Sequence, residues 1–350
     1  MPTLKDIALR VGVSISTVSR AISNDANRPV NEETKRKIRE VAEEIGYEWD
    51  SPQARTAKDE TNTSRRIGCI VPQTLTDNHP YFAPILSGFR RRLDTMGLSP
   101  VFIRASEEIG TVDRMRSLIS DTGVEGVLAI GWYDKALFEL LRKERVVILG
   151  VSLNNESMDV PIVDCDRVSA ARAAVRHLIL QGHTGIGFIG GPAFSNDLEG
   201  EERYIGYKFA MLEAGLVLNE NWILNAKWNV DRSFSLMTDM LNSLPEDEWP
   251  TAMFCASDMM AIPAMRAALE RKCRIPDDIA FVGMDNIEVA QYTSPPLSSV
   301  QVPKFEIGEI AAKTLIDYVD AAYTLPAKIL LPYELIARES SACDRSARNK

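Results

Sequence analysis

Four side chains with hydrogen-bonding groups lie within five residues near the beginning of the sequence. They are Ser16, Thr17, Ser19 and Arg20, which supply three hydroxyls and one guanidinium. Hydroxyls donate to phosphate oxygens, and a guanidinium can bind the O6 and N7 acceptors of guanine in the major groove. The set therefore predicts contact with DNA, provided that one exposed helix face holds the four groups together.

The neighbouring residues predict such a helix. Apolar residues recur at helical spacing over 4–11, and Gly12 can take the left-handed conformation that ends a helix. Ser14 is a suitable N-cap for a second helix, in which Val18 and Ala21 share a buried face. Two short helices joined by a glycine-containing turn form a helix-turn-helix. An ordinary solvated helical hairpin would have the same caps, so the pattern alone leaves that alternative open.

The segment LKDIALRVGVSISTVSRAIS resembles the opening signature of the LacI/GalR family of sugar-responsive bacterial repressors. The resemblance implies a DNA-binding face that contains Ser14, Ile15, Ser16, Thr17, Ser19, Arg20 and Asn24. Serine and threonine hydroxyls there would contact phosphates. Because Ile15 and Ser16 are apolar or small where other members carry larger polar groups, we expect Arg20 to make most of the direct guanine contacts.

A third helix and a linker follow this segment. Asn31 can cap the third helix, which the pattern ends at Gly46. We therefore predict an all-α helix-turn-helix domain over residues 1–50 and a linker over residues 51–66.

Part of the linker resembles the hinge helix of the same family, which presses a leucine into the minor groove of DNA. Ala54, Arg55 and Ala57 would then contact DNA. Ala57 stands where the family has its leucine, and its smaller side chain should unstack a base step less. A flexible tether is the alternative for this segment.

Charge and cysteine content limit the class of protein. The net charge is -9 at pH 7, yet residues 1–39 contain eight Lys and Arg against four Asp and Glu, an excess of four positive charges. This argues against a protein that coats nucleic acid through charge alone and favours a basic head on an acidic body. The five cysteines are scattered and form no C-x-x-C pair, so we expect reduced thiols. Without a signal-peptide pattern or an apolar run of membrane length, we expect a cytoplasmic protein that is nucleoid-associated when bound to its operator and has no membrane partner.

From Ile67 onwards, short apolar runs alternate with amphipathic helical stretches. The pattern occurs twice, over about 67–164 and 165–290. Fully apolar strands that alternate with helices predict parallel sheets, and ligands bind at the C-terminal ends of such strands. We expect residues 67–341 to form two α/β lobes with a cleft between them. The remaining segments are assigned as 291–323 to the first lobe, 324–341 to the second and 342–350 to a tail.

The blocks VEGVLAIG, WPTAMFCASDMMAIPAMRAAL and RIPDDIAFVGMDN also resemble the LacI/GalR family, whose sensor domain is similar to type I periplasmic sugar-binding proteins. The resemblance covers residue 3 to about 341. Planar charged groups and aromatic faces hold sugars. The effector contacts it implies are Tyr81, Phe82, Arg203, Trp228, Ser257, Asp258 and Asp285. Alternatively, Ser257 and Asp258 only cap the following helix, and Tyr81 or Phe82 belong to the core.

Together these features predict a homodimeric repressor of carbohydrate-utilisation genes that needs no cofactor or metal. Its two heads would bind double-stranded, pseudopalindromic operator DNA, and a sugar would change the operator affinity. The region YEWDSPQAR resembles the subgroup typified by the evolved β-galactosidase repressor, which implies a galactoside. The tail lacks an apolar heptad, which favours a dimer over a tetramer.

Two other classes of protein explain the sequence less completely. A solute receptor for transport would not explain the helix-turn-helix. A Rossmann-type enzyme would need a G-x-G-x-x-G loop, and GFIGGP lacks that spacing. Catalysis is not indicated, because no nucleophile-elbow motif surrounds Ser257.

Overall fold

The computed structural model describes residues 4–15, 17–18, 21, 30–44, 65–73, 79–153, 160–193 and 197–342. The chain divides into two units, Met1–Ser64 and Arg65–Lys350. No helix among these residues is long and apolar enough to span a membrane.

The first unit contains the helices α1 (Leu4–Val11) and α2 (Glu32–Glu44), and described residues between 15 and 21 are also helical. Its core consists of Ile7, Ala8, Val18, Ala21, Ile38 and Ala42. The predicted caps are confirmed. Gly12 has a φ of 76°, the Thr17 N–H donates to Ser14 Oγ at 3.1 Å, and the Glu33 N–H donates to Asn31 Oδ1 at 2.8 Å.

The second unit is built from strands that alternate with helices. Its described strands are β1 (Ile67–Val71), β2 (Phe102–Ala105), β3 (Gly126–Ile130), β4 (Val147–Val151), β5 (Ile162–Cys165), β6 (Ile186–Gly190), β7 (Ile223–Asn225), β8 (Ala252–Cys255), β9 (Ala280–Asp285), β10 (Ser298–Gln301), β11 (Lys328–Leu331) and β12 (Glu334–Ile336). Its described α-helices are α3 (Phe82–Thr95), α4 (Ser106–Ile109), α5 (Val112–Thr122), α6 (Lys135–Lys143), α7 (Arg167–Leu180), α8 (Glu202–Glu213), α9 (Val230–Ser243), α10 (Asp258–Glu270) and α11 (Lys304–Val319).

The strands form two sheets of six, one in each lobe. The first has the order β11-β5-β4-β3-β1-β2 and is parallel throughout. The second has the order β12-β10-β9-β8-β6-β7, in which only β12 is antiparallel. Every residue of β1, β3, β6, β8 and β9 is buried, as expected for parallel strands covered by helices on both faces.

The predicted division of the C-terminal segments between the lobes is wrong in two places. Strand β10 was assigned to the first lobe, but it pairs with β9 of the second sheet. Strand β11 was assigned to the second lobe, but it pairs with β5 of the first sheet. The chain therefore crosses between the lobes three times, after β5, between β10 and α11, and between β11 and β12. The prediction failed because nothing in the sequence of a four-residue strand indicates which sheet the strand joins.

Candidate functional site

A cavity of about 540 Å³ lies between the two lobes, at the C-terminal ends of their strands. From the first lobe it is lined by residues that follow β1, β3 and β4 and by the beginning of α3. From the second lobe it is lined by residues at or after the ends of β6, β7, β8 and β9. Six of the seven predicted effector contacts line it, namely Tyr81, Phe82, Arg203, Trp228, Ser257 and Asp285.

Asp285, the last residue of β9, is one of the two acidic residues that line this cavity, the other being Glu201. The φ of Asp285, 107°, lies in the left-handed region that side-chain-bearing residues rarely adopt, so its backbone is strained. The residue is 4% exposed, and Oδ1 has no hydrogen-bond partner among the described residues. Burial raises the pKa of this carboxyl to about 6, although the nearby cations Arg203 and Lys304 oppose the shift. A buried carboxylate with a free oxygen is available to accept hydroxyl donors from a ligand.

Arg203 and Trp228 form a second feature of the cavity. Glu201, the N-cap of α8, accepts the Arg203 N–H at 2.8 Å and its guanidinium at 2.7 Å. The guanidinium carbon lies 4.8 Å from the centre of the Trp228 ring, in cation–π contact. Trp228 Nε1 donates to the Pro192 carbonyl at 2.9 Å. The indole is thereby held in place, and it remains 39% exposed beside the cavity.

The backbone around Trp228 is shaped for this placement. Lys227 and Trp228 are consecutive residues with positive φ, 52° and 57°. A Cβ on Gly191 would lie 2.5 Å from the indole ring, so only glycine fits there. Two strained residues and one obligatory glycine therefore position a single aromatic ring, which is typical of a binding site.

Arg167 is a cavity residue that the sequence prediction did not include. It is 3% exposed and its Nη2 lies 2.5 Å from Asp164 Oδ2, which also accepts the Ser152 N–H at 3.0 Å. The Ser152 hydroxyl is 3.1 Å from the Tyr81 hydroxyl. No sequence pattern singled out Arg167, because a cation in the first turn of a helix also occurs at the exposed Lys135 of α6. The remaining cavity residues outside the prediction include His79, Lys227, Met259 and Met260.

Comparison with known proteins identifies the family. Residues 3–49 match the lacI family of bacterial regulatory proteins, and residues 175–341 match a periplasmic binding protein-like domain. The chain is 30% identical over 348 residues to the HTH-type transcriptional repressor CytR of Escherichia coli (strain K12), covering 97% of this chain and 96% of that protein. The chain belongs to the LacI family.

Two further members of the comparison agree with this LacI-family assignment. The HTH-type transcriptional repressor PurR of Haemophilus influenzae (strain PittEE) is 28% identical over 344 residues, 97% of this chain and 98% of that one. The transcriptional regulator CelR in complex with cellobiose superposes with a TM-score of 0.69 at 27% identity, covering 97% of this chain and 100% of that one. The predicted fold, a helix-turn-helix domain and a two-sheet α/β domain, is confirmed, and the protein is a DNA-binding transcriptional regulator.

One predicted effector contact of this LacI-family regulator is corrected by the structure. Asp258 does not line the cavity and is fully buried. Its carboxylate accepts the Ile287 N–H at 2.8 Å and bonds the Ser299 hydroxyl at 2.6 Å, so it fastens the loop after β9 to α10. Burial raises its pKa to about 8. The neighbouring Ser257 has both expected properties, because it caps α10 through the Met260 N–H at 3.3 Å and lines the cavity.

On the predicted DNA-binding face, the structure describes Ser14, Ile15 and Thr17. The Ser14 and Thr17 hydroxyls lie 2.8 Å apart, and the Ile15 side chain is 48% exposed. The other predicted contacts lie outside the described residues: Ser16, Ser19, Arg20, Asn24, Ala54, Arg55 and Ala57. In the described part of the chain, no group of three His, Cys, Asp or Glu side chains could hold a metal ion.

Proposed function

We propose that this LacI-family regulator is a repressor of carbohydrate-utilisation genes whose affinity for operator DNA is changed by a sugar bound in the interlobe cavity. The observation that carries the proposal is that the same cavity is lined by Asp285 and Trp228. Asp285 is a buried carboxylate with one oxygen that makes no hydrogen bond, and the indole of Trp228 is held on one face by the Arg203 guanidinium. Sugar rings present hydroxyl donors at their edges and apolar C–H groups on their faces, and these two protein groups complement both.

The charged groups of the cavity favour a neutral polyol. Arg203 is neutralised by Glu201, and Arg167 by Asp164. Their remaining N–H groups can still donate to hydroxyl oxygens, while Asp285 accepts from hydroxyl hydrogens. The volume of the cavity falls within the usual range of small-molecule sites and accommodates a disaccharide. Among the relatives, the structure of CelR is that of its complex with cellobiose, and a galactoside is our first choice for this chain.

Control of transcription follows from the two-unit organisation. Two subunits would place two helix-turn-helix heads on a pseudopalindromic operator, so that affinity depends on the separation of the heads. A ligand that binds the closed lobes more tightly shifts the population towards a form in which the heads no longer fit both half-sites. We place the protein in the cytoplasm, where operator DNA is found, and assign it no cofactor. The helix-turn-helix disfavours a transport receptor.

Two measurements test the proposal in sequence. A gel shift with the DNA that flanks its own gene should give a specific complex that weakens as salt is raised. A thermal-shift screen of mono- and disaccharides, galactosides first, should identify a sugar, and that sugar should then change the operator Kd at least fivefold. If the DNA gives no salt-sensitive specific complex, the repressor proposal fails. If no sugar shifts the unfolding transition and the operator is bound, the sugar is not the effector.

A further inference from the structure

Ile15 is an apolar residue that the core of the first unit leaves uncovered. It is 48% exposed, and among the described residues it belongs neither to that core nor to the partly buried side chains packed against it. Val13 packs against the core and Val18 is part of it, so the residues on both sides of Ile15 in the chain are used for folding. Single exposed apolar residues are common, and exposure alone assigns Ile15 no role. Its position in the helix-turn-helix does.

Ile15 is the first residue of the second helix of the helix-turn-helix. The Ser14 hydroxyl oxygen accepts the Thr17 N–H at 3.1 Å, which makes Ser14 the N-cap, and Ile15 is already helical. In helix-turn-helix proteins the second helix lies in the major groove, and its N-terminal residues contact the base edges. An exposed side chain at this position is therefore placed to contact a base.

The chemistry of Ile15 limits the base group that it can recognise. Its side chain has no donor or acceptor, so it cannot distinguish base pairs through hydrogen bonds. The C5 methyl of thymine is the apolar group among those that base pairs present in the major groove, and the characteristic groups of the other bases are donors or acceptors. A donor or acceptor covered by Ile15 would lose water without gaining a hydrogen bond, which costs free energy. Ile15 therefore disfavours polar base edges and favours a methyl group.

The surroundings of Ile15 suit a short contact with DNA. A β-branched side chain in a helix strongly prefers one χ1 rotamer, so little entropy is lost when Ile15 is covered. The Ser14 and Thr17 hydroxyls beside it lie 2.8 Å apart, and hydroxyls of this kind donate to phosphate oxygens. Residues 1–39 also have an excess of four positive charges, which complements a polyanion. Phosphate contacts would hold the helix in register while Ile15 contacts a base.

We propose that Ile15 recognises the C5 methyl group of one thymine in each operator half-site. The inference goes beyond the proposed function, because it concerns the bases of the operator and does not depend on the effector. Burial of one methyl group strengthens binding about fourfold for each half-site, or about fifteenfold for two. Because 5-methylcytosine carries its methyl group at the same ring position as thymine, it should also satisfy Ile15, whereas uracil and cytosine should not.

Gel shifts with substituted duplexes test the contact, and selection from random-sequence duplexes first supplies the operator. Uracil then replaces thymine at one position of both half-sites at a time, which removes only the methyl group. At one such position the operator Kd of the full-length protein should rise about fifteenfold. For Ile15→Ala the same replacement should raise the Kd less than twofold, because the contact is already lost. At that position the unaltered protein should bind 5-methylcytosine about fifteenfold more tightly than cytosine.

Leu9→Ala is the matched control. Leu9 is another exposed apolar residue of the first unit, but it lies in α1, and the first helix of a helix-turn-helix crosses the DNA backbone. This variant should keep the full uracil effect. The uracil and 5-methylcytosine measurements on the unaltered protein need no variant, so they decide the matter even if Ile15→Ala fails to fold. If uracil weakens binding at no position, or weakens Ile15→Ala equally, the inference is overturned and the repressor proposal stands. If selection enriches no sequence, both are overturned.

Discussion

Replacement of Asp285 by asparagine should stabilise the free protein and weaken its binding of effector. Asparagine has nearly the shape of aspartate without its charge, and burial holds the pKa of Asp285 at about 6 against an ordinary value of 3.8. That difference corresponds to about 3 kcal/mol of folding free energy. Because the pKa is higher in the folded state, the charge of Asp285 costs no folding free energy below about pH 4, where the carboxyl is protonated in both states. The free energy of unfolding falls as the pH rises from about 4 to 6, and the whole destabilisation is present at pH 7.

The same substitution removes the acceptor that we assign to sugar hydroxyls. Hydrogen bonds to a charged group contribute about 1.5–3 kcal/mol each, so the loss of one should raise the effector Kd at least tenfold. Only the ionised carboxylate accepts hydrogen bonds from hydroxyls at both of its oxygens. The effector Kd of the unaltered protein should therefore rise about tenfold for each unit by which the pH falls below 6. Affinity of the Asp285→Asn variant should not change over that range.

Urea unfolding at pH 7.5 and pH 4.5 measures the first effect, and calorimetric titration with the sugar found in the screen measures the second. Asp278→Asn is the control, because Asp278 is a carboxyl of the same lobe that does not line the cavity and pairs with Arg274 at 2.5 Å. It should leave the effector Kd within twofold. If Asp285→Asn were less stable than the unaltered protein at pH 7.5, or bound the sugar normally, our reading of this carboxylate would be refuted.

Three further substitutions test other parts of the structure. Gly308→Ala should destabilise the second unit by about 3 kcal/mol, because the added methyl would clash with the Ile85 carbonyl oxygen of α3. Ile310→Ala, at an exposed position of the same helix, should change the stability by less than about 0.5 kcal/mol. Equal urea midpoints for the two variants would contradict the close contact between α3 and α11. Trp228→Ala should raise the effector Kd more than tenfold and Trp228→Phe should raise it much less, while the operator Kd is unchanged in both variants. A titration in which Trp228→Ala binds the effector as tightly as the unaltered protein would show that the indole is not part of the site. Arg20→Ala should relax specificity at one base pair per half-site by about 1–3 kcal/mol, and an unaltered base preference in competition gel shifts would assign the readout to other residues.

Much of this architecture could be read from the sequence because it depends on local physics. The caps of the first unit need only glycine, serine and asparagine at the correct offsets. The positions of Ser257 and Asp285 follow from the rule that polar residues after buried strands meet at one edge of a sheet. The exchange of β10 and β11 between the sheets could not be read, because it depends on pairing between residues far apart in the chain.

Asp258 shows where position in the sequence fails to reveal orientation. It follows a strand end just as Asp285 ends one, yet its carboxylate points into the protein, against Gly283 and Ser299. A glycine at 283 leaves the room that this carboxylate occupies, since a Cβ there would lie 2.1 Å from Asp258 Oδ1. The difference between a binding carboxylate and a structural one is therefore decided by a residue on another strand.

The polar atoms left without partners around the cavity argue for selectivity as well as for binding. In the described part of the chain, Asp285 Oδ1, Arg167 Nε and Arg203 Nε are buried and make no hydrogen bond. Each such group costs about 1–3 kcal/mol, which a sequence selected for stability alone would avoid. A ligand that supplies the missing bonds recovers this cost, and a close analogue without one hydroxyl does not. Sites of this kind reject the incomplete analogue far more strongly than an apolar pocket rejects a missing methylene, because the rejected ligand leaves the protein's own groups unpaired.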